Sequence, residues 1–213
     1  MKKLPVIIIG AGGHAKVVLD ILLLTGTEVL GFSDLDSAKA GQSVHGCPIL
    51  GDDETVLRND PVSVLLANGV GSVGDMRARK AVFDKYSSKG YGFMIVIHPT
   101  AILSPRSDIG PGVQIMAGAI VQVDSVISDN CIVNTGAIVE HDCHIGAHVH
   151  LAPGVTLSGD VTVGAGSHVG TGATIMQGVR IGRRCTVAAG AVVISDIDDD
   201  TRVAGVPAME LRP

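Results

Sequence analysis

The chain has 213 residues and a formal net charge of −5, with two Tyr, three Phe and no Trp. That length admits one or two domains, and the acidic balance without any basic run argues against a nucleic-acid partner. No apolar stretch approaches the roughly 18–20 residues that cross a bilayer, so no membrane insertion is expected.

Met1-Lys2-Lys3 ahead of Val6-Ile7-Ile8-Ile9 has the look of a secretory leader. The apolar run ends after four residues and no small-residue cleavage site follows, so a leader is rejected. Val6–Ile9 reads instead as a short buried strand, Gly10-Ala11-Gly12-Gly13-His14 as a turn, and Ala15–Leu24 as a helix. A second strand, Val29–Ser33, ends at Asp34, with Leu35 and Asp36 behind it. A third, Val62–Ala67, runs into a second glycine loop, Asn68-Gly69-Val70-Gly71-Ser72. A helix is expected over Asp75–Lys89 and a closing strand over Met94–Ile97. Strand, glycine turn and helix in that order define a small Rossmann-like α/β domain over residues 1–95.

The glycine turn matches G-x-G-x-x-G only in part, because Ala15 stands where the third glycine belongs. Backbone amides at a helix start still favour a phosphate, so Gly12, Gly13 and His14 are candidate substrate contacts. Asp34, at the end of the next strand, is placed to receive a ribose or base donor. A nucleotide-sugar suits this arrangement as well as a dinucleotide does.

From Ile109 to Val193 every sixth residue is Ile, Val or Leu, fifteen positions without an exception. That period belongs to a hexapeptide solenoid, a parallel β-helix, and not to a helix or an isolated strand. Four places after each aliphatic residue stands a small one, from Val113 and Ala119 to Cys185 and Ala191. Three places after it stand mostly Gly, Asn and Asp, from Gly112 to Gly190, the residues that tolerate a sharp corner. A thin prism leaves no room for aromatic rings, which accounts for their shortage. The β-helix is assigned to residues 96–195. An acidic linker, Asp196–Asp200, then opens a tail over 196–213. Cys47, Cys131, Cys143 and Cys185 form no CxxC pair, and a reduced, cytoplasmic setting is expected.

The most polar stretch of the solenoid is Asn134-Thr135-Gly136-Ala137-Ile138-Val139-Glu140-His141-Asp142-Cys143-His144, with His148 and His150 beyond. Stacking at eighteen residues puts Val123, His141, Gly159 and Gln177 in one corner column, and His150 beneath His168. Gly159 would leave the space over His141 open to a ligand. Glu140 and Asp142 flank His141 and would orient its imidazole. The histidine spacings of three, four and two miss the pattern of the zinc-bearing β-helix carbonic anhydrases, so no metal is expected.

Gly-Ala-Gly-Gly-His-Ala-Lys, Asn-Thr-Gly-Ala-Ile-Val-Glu-His-Asp-Cys and Ala-Gly-Val-Pro-Ala together resemble one family along nearly the whole chain. It is that of the sugar O- and N-acetyltransferases of bacterial surface-polysaccharide pathways, typified by sialic acid O-acetyltransferases and UDP-4-amino-sugar N-acetyltransferases. Within that set the chain looks most similar to the GDP-perosamine N-acetyltransferases. The resemblance implies a left-handed prism of eighteen residues per coil and a homotrimer with acetyl-CoA between neighbouring β-helices. It also implies a nucleotide-linked amino sugar held on the N-terminal domain. His141 would be the catalytic histidine and Asp142 its acidic partner. Asn134 would line the acceptor pocket, and Asp34 and Asp36 would meet the base. His150, Gly159 and Ala189 would contact the cofactor. His144 matches nothing in the family pattern. A nicotinamide-dependent oxidoreductase, a sugar nucleotidyltransferase and a non-catalytic trimeric module are the rival readings. The first leaves the β-helix without a role, the second needs a larger nucleotide domain, and the third leaves the His141 cluster unused.

Overall fold

The computed structural model describes residues 4–72 and 74–211; Met1, Lys2 and Lys3, considered above as part of a leader, lie outside them. The chain forms two compact units. One takes the chain to Gly71 together with Ala78–Pro99, and the other takes Ser72–Arg77 and everything from Thr100.

The first unit is Rossmann-like. Its elements are β1 (Val6–Ile9), α1 (Gly13–Leu24), β2 (Val29–Ser33), β3 (Ser43–Val44), β4 (Cys47–Gly51), α2 (Asp53–Leu57), β5 (Leu65–Asn68), α3 (Arg77–Ser87) and β6 (Gly92–Phe93). The sheet order is β3-β4-β2-β1-β5-β6, and every pairing except β3 with β4 is parallel. β1 is central and buried on both faces, as its unbroken aliphatic run requires.

Element limits shift for local reasons. α1 begins at Gly13, two residues before the periodic pattern, because glycine enters a helix without side-chain conflict. Asp60 caps its own turn, accepting from Val62 N and Ser63 N. The third strand therefore starts at Leu65, and Val62 is left 77% exposed. Asp75 accepts from Arg77 N and stays outside α3. Of the expected closing strand Met94–Ile97 only Val96–Ile97 is strand, and the sheet edge is formed two residues earlier by Gly92–Phe93. The hairpin β3–β4 and helix α2 carried no clear period in the sequence.

The second unit is a left-handed parallel β-helix of two-residue strands. Each strand pairs with the one eighteen residues on, as in Ile120 with Ile138, Val126 with His144 and Ile132 with His150. The aliphatic column is buried from Ile115 to Val193, and Ile109 packs against its end. Each such residue contributes about 1.5–3 kcal/mol of transfer free energy. All fourteen corner positions have positive φ, between 54° and 74°, including the non-glycine residues Asp124, Asn130, Asp142, His148, Asp160 and Arg184. Ser125 and Ser167 enter the core column without an orphaned hydroxyl, donating to Glu140 O and Gly182 O.

The acidic segment is not a linker. Asp196 and Asp199 accept from Arg180 N and Arg183 N, and Asp200 pairs with Arg184. Ile197 bridges Ile181, and Thr186 pairs with Arg202, so the prism adds a final coil of sixteen residues. Carboxylates there replace backbone partners that a shortened coil cannot supply. The four cysteines are free and buried. Burial pushes the Cys143 thiol up to about 11, which removes it as a nucleophile near neutral pH.

Candidate active site

His141 and Asp142 are consecutive, and on a regular strand their side chains would diverge. Asp142 instead occupies a corner with φ of 60°, and the turn brings its Oδ2 to 2.7 Å from His141 Nδ1. The Asp142 hydrogen bond raises the His141 pKa above the usual imidazole value. The charges of Asp142, Glu140 and Asp160 add to this, against a smaller desolvation effect. With Nδ1–H engaged, the tautomer places the free lone pair on Nε2. The imidazole is half exposed, which keeps that nitrogen within reach of a ligand.

Gly159 acts differently from expectation. A Cβ built there would lie 2.5 Å from His141 Cε1 and 2.6 Å from Nε2. The space over Gly159 is occupied by the imidazole of His141, and the glycine seats that ring. Ala189 is exposed and stands on another corner column.

Removing the Asp142 charge tests this geometry. In Asp142→Asn the new amide oxygen still accepts from Nδ1–H, so the ring orientation should survive. The His141 pKa should fall, since a neutral amide accepts a weaker hydrogen bond than a carboxylate and the Asp142 charge is gone. A base works unprotonated, so the acid limb of kcat/KM should move to lower pH, with plateau turnover within about tenfold of wild type. An unmoved limb across a full pH profile would dissociate Asp142 from the titration.

His150 is buried and both its nitrogens are engaged. Asn134 Nδ2 donates to Nε2 at 3.0 Å, so Nδ1 carries the proton toward Ser72 Oγ at 2.9 Å. Asn134 is held in turn, its Oδ1 accepting from Thr135 N. His168 packs edge-on against His150, centroids 4.9 Å apart, as the stacking predicts. Burial lowers the pKa of His168, and its Nδ1 has no hydrogen-bond partner among the described residues.

His144 faces out on a different side. With Thr162, Gly164, Arg180, Arg183 and Asp196 it borders a groove of about 890 Å³ running across three coils. Its Nδ1 approaches Asp142 O at 3.1 Å.

In the first unit Gly12 caps α1 without a side-chain hydrogen bond, and a Cβ on Gly12 or Gly13 would meet nothing within 4 Å. The helix start thus opens onto free space. His14 is half-buried beside Gly71. Asp34 accepts from Ala11 N at 2.8 Å, Lys39 Nζ at 2.9 Å and Asp36 N at 3.0 Å. Burial opposes its charge, but these bonds outweigh that and hold its carboxyl below the usual range. Three of its roughly four acceptor sites are therefore taken. Asp34 staples the glycine turn to β2 before it can serve any ligand. Asp36 caps the following turn, accepting from Ala38 N. Among the described residues no group of three or more His, Cys, Asp or Glu is placed to hold a metal ion, and no helix is long and apolar enough to cross a membrane.

Two family models match the chain: the PglD N-terminal domain over residues 5–86, and the bacterial transferase hexapeptide (six repeats) over 124–159 and 160–195. The acetyltransferase domain of PglB from Neisseria gonorrhoeae is 39% identical, with a TM-score of 0.89 over 98% of this chain and 100% of that chain. PerB from Caulobacter crescentus, in complex with CoA and GDP-perosamine, is 40% identical, with a TM-score of 0.90 over 98% of this chain and 97% of that chain. The chain belongs to the hexapeptide-repeat acetyltransferases with a PglD-type N-terminal domain. A curated relative, an uncharacterised protein of Acanthamoeba polyphaga mimivirus, is 32% identical over 130 residues; the match takes in 60% of this chain and spans 24% of that relative's length.

Three further residues support the site without a functional signal in the sequence. Ser72 reaches His150 from 78 residues away. Gly69 lets the second glycine loop pack on Ala15, since a Cβ there would sit 2.7 Å from Ala15 Cβ. That close approach does the work expected of the missing third glycine. Arg79 is fully buried and donates to Asn68 O and Val70 O, each at 2.9 Å, fixing the same loop. Arg79, with Arg77 and Lys80 beside it on α3, reads as one of several solvated charges and gives no signal of such a role in sequence.

Proposed function

We propose that this chain transfers the acetyl group of acetyl-CoA to the amino group of a nucleotide-linked 4-amino-4,6-dideoxy sugar, GDP-perosamine being the best candidate. The observation that carries the reading is the His141–Asp142 pair, 2.7 Å apart at a solenoid corner, with Nε2 free. The amine nitrogen attacks the thioester carbonyl, His141 Nε2 takes the proton released by attack, the carbon–sulfur bond breaks to expel the CoA thiolate, and that thiolate takes up a proton from the His141 imidazolium or from water to leave as the thiol. Binding and orientation supply much of the acceleration, since a deprotonated amine attacks a thioester readily. The N-terminal unit holds the nucleotide, its phosphates meeting the open amides at Gly12 and Gly13. GDP-perosamine and CoA are what PerB was crystallised with, and histidine variants of that enzyme were solved with the same pair. The working form in this reading is a homotrimer with acetyl-CoA along the prism sides, where His150, Gly159 and Ala189 remain candidate contacts. Its product would serve surface-polysaccharide assembly in the cytoplasm.

A thiol-release assay with acetyl-CoA and a panel of nucleotide-linked amino and hydroxy sugars tests the proposal. Release should depend on an amino acceptor and be fastest with GDP-perosamine. Faster release with hydroxyl acceptors, or none with any amine, would sink it.

A further inference from the structure

The prism side that carries His150 and His168 holds a hydrogen-bond chain whose members all belong to the second compact unit. It runs from Thr135 N to Asn134 Oδ1 at 2.8 Å, from Asn134 Nδ2 to His150 Nε2 at 3.0 Å, and from His150 Nδ1 to Ser72 Oγ at 2.9 Å. One member fixes its direction. A backbone N–H donates and never accepts, so Thr135 N holds Oδ1 and turns Nδ2 toward the ring. Nε2 must then accept, and Nδ1 carries the proton that Ser72 receives.

The chain uses most of what Asn134 can offer. Its Oδ1 accepts from Thr135 N and, at 3.4 Å, from Thr135 Oγ1, and one Nδ2 hydrogen goes to His150. A single amide N–H is left for a ligand. Packing fixes the His150 ring, which is 6% exposed behind the edge-on His168, but packing alone does not place its proton. A hydroxyl accepts or donates, so Ser72 does not choose the direction of the chain. Instead it takes the proton that this direction puts on Nδ1. Without the hydroxyl, Nδ1–H loses that acceptor in a buried setting, where an unmatched donor is costly. Reversal relieves this: Nε2 takes the proton, Asn134 turns Oδ1 toward it, and the free amide N–H no longer points the same way.

We propose that Ser72 is a positioning residue for acetyl transfer. By accepting the His150 Nδ1 proton it keeps the chain running one way, and so aims the free N–H of Asn134 at the acceptor. The proposal rests on the reading given above in which Asn134 lines the acceptor pocket. It assigns Ser72 no contact with either substrate, since its action passes through His150.

Nitrogen NMR of the full chain labelled at histidine, with His150→Gln to assign the signals, reads which ring nitrogen holds the proton. Steady-state kinetics on the same proteins reads the consequence. The wild type should show the His150 proton on Nδ1. Ser72→Ala should shift it toward Nε2 and lower turnover about tenfold or more, with KM for acetyl-CoA within about threefold. Ser72→Thr keeps a hydroxyl and should restore both the proton position and the rate. Melting temperatures show whether each variant is folded, and Ser72→Val, which has the shape of threonine without the hydroxyl, gives the same reading if the alanine variant is not. A wild-type proton on Nε2, a hydroxyl-free variant with an unmoved proton or unchanged turnover, or a loss that threonine does not restore would overturn the proposal. The spectra need neither acetyl-CoA nor acceptor, so they report the direction of the chain whatever the thiol-release assay gives.

Discussion

His141→Asn is expected to lower turnover by about two to four orders of magnitude while leaving CoA affinity within a few-fold. Asparagine has similar reach and still bonds to Asp142, but it has no nitrogen that takes up a proton. The raised pKa of His141 makes it a better proton acceptor once deprotonated, and Asp142 fixes the tautomer that aims Nε2 outward. The loss should therefore fall on the chemical step. Single-turnover kinetics over a range of pH provides the check. An acceptor amine that arrives already deprotonated would reduce the loss and let higher pH recover part of it. Unchanged turnover at every pH would remove His141 from the mechanism.

The second large effect separates two glycines of the β-helix that look alike in sequence. At Gly164 an added Cβ would lie 2.5 Å from the carbonyl carbon and oxygen of Gly182 and 2.6 Å from Arg183 N. Those atoms belong to the backbone of the next coil, which is itself tied to Ile197 through Gly182 N. Nothing there yields without breaking a ladder. Gly164→Ala should cost about 3 kcal/mol, the upper end of overpacking penalties, and lower Tm by about 6–12 °C. At Gly159 the added Cβ meets only the far end of the His141 side chain. Gly159→Ala should leave Tm within about 2 °C and reduce turnover at least about tenfold, because the ring moves aside. Thermal melts and steady-state rates on both variants decide it. A stable Gly164→Ala protein would refute the coil-spacing argument, and a fully active Gly159→Ala protein would refute the seating role.

The solenoid was almost wholly legible because its period is a local property. One aliphatic column, one small column and one corner column repeat in phase, and each records a constraint imposed every six residues. The corner column names the positive-φ positions residue by residue, including Arg184, whose type alone would not suggest it. Legibility ends where the period ends. Past Ser195 the last coil shortens to sixteen residues, and carboxylates take over contacts that backbone made before. An acidic run without a hydrophobic repeat reads as a linker for that reason. In the α/β unit the interior strand β1 is plain from composition, whereas β4, with Pro48 and an exposed Leu50, is not.

The sequence by itself determined the architecture: a Rossmann-like unit, a hexapeptide β-helix, and a histidine at a corner with acids on either side. Those features rest on spacing along the chain, and spacing is what a sequence records. Tertiary structure alone decided how the groups meet. It turned Asp142 back onto His141, set the imidazole over Gly159, and closed Ser72 onto His150. It also committed Asp34 to the glycine turn. Each of these depends on a corner dihedral, or on residues that folding brings together from distant parts of the chain. Hydrogen bonds form between atoms at roughly 2.7–3.2 Å in defined directions, and a one-dimensional pattern carries neither.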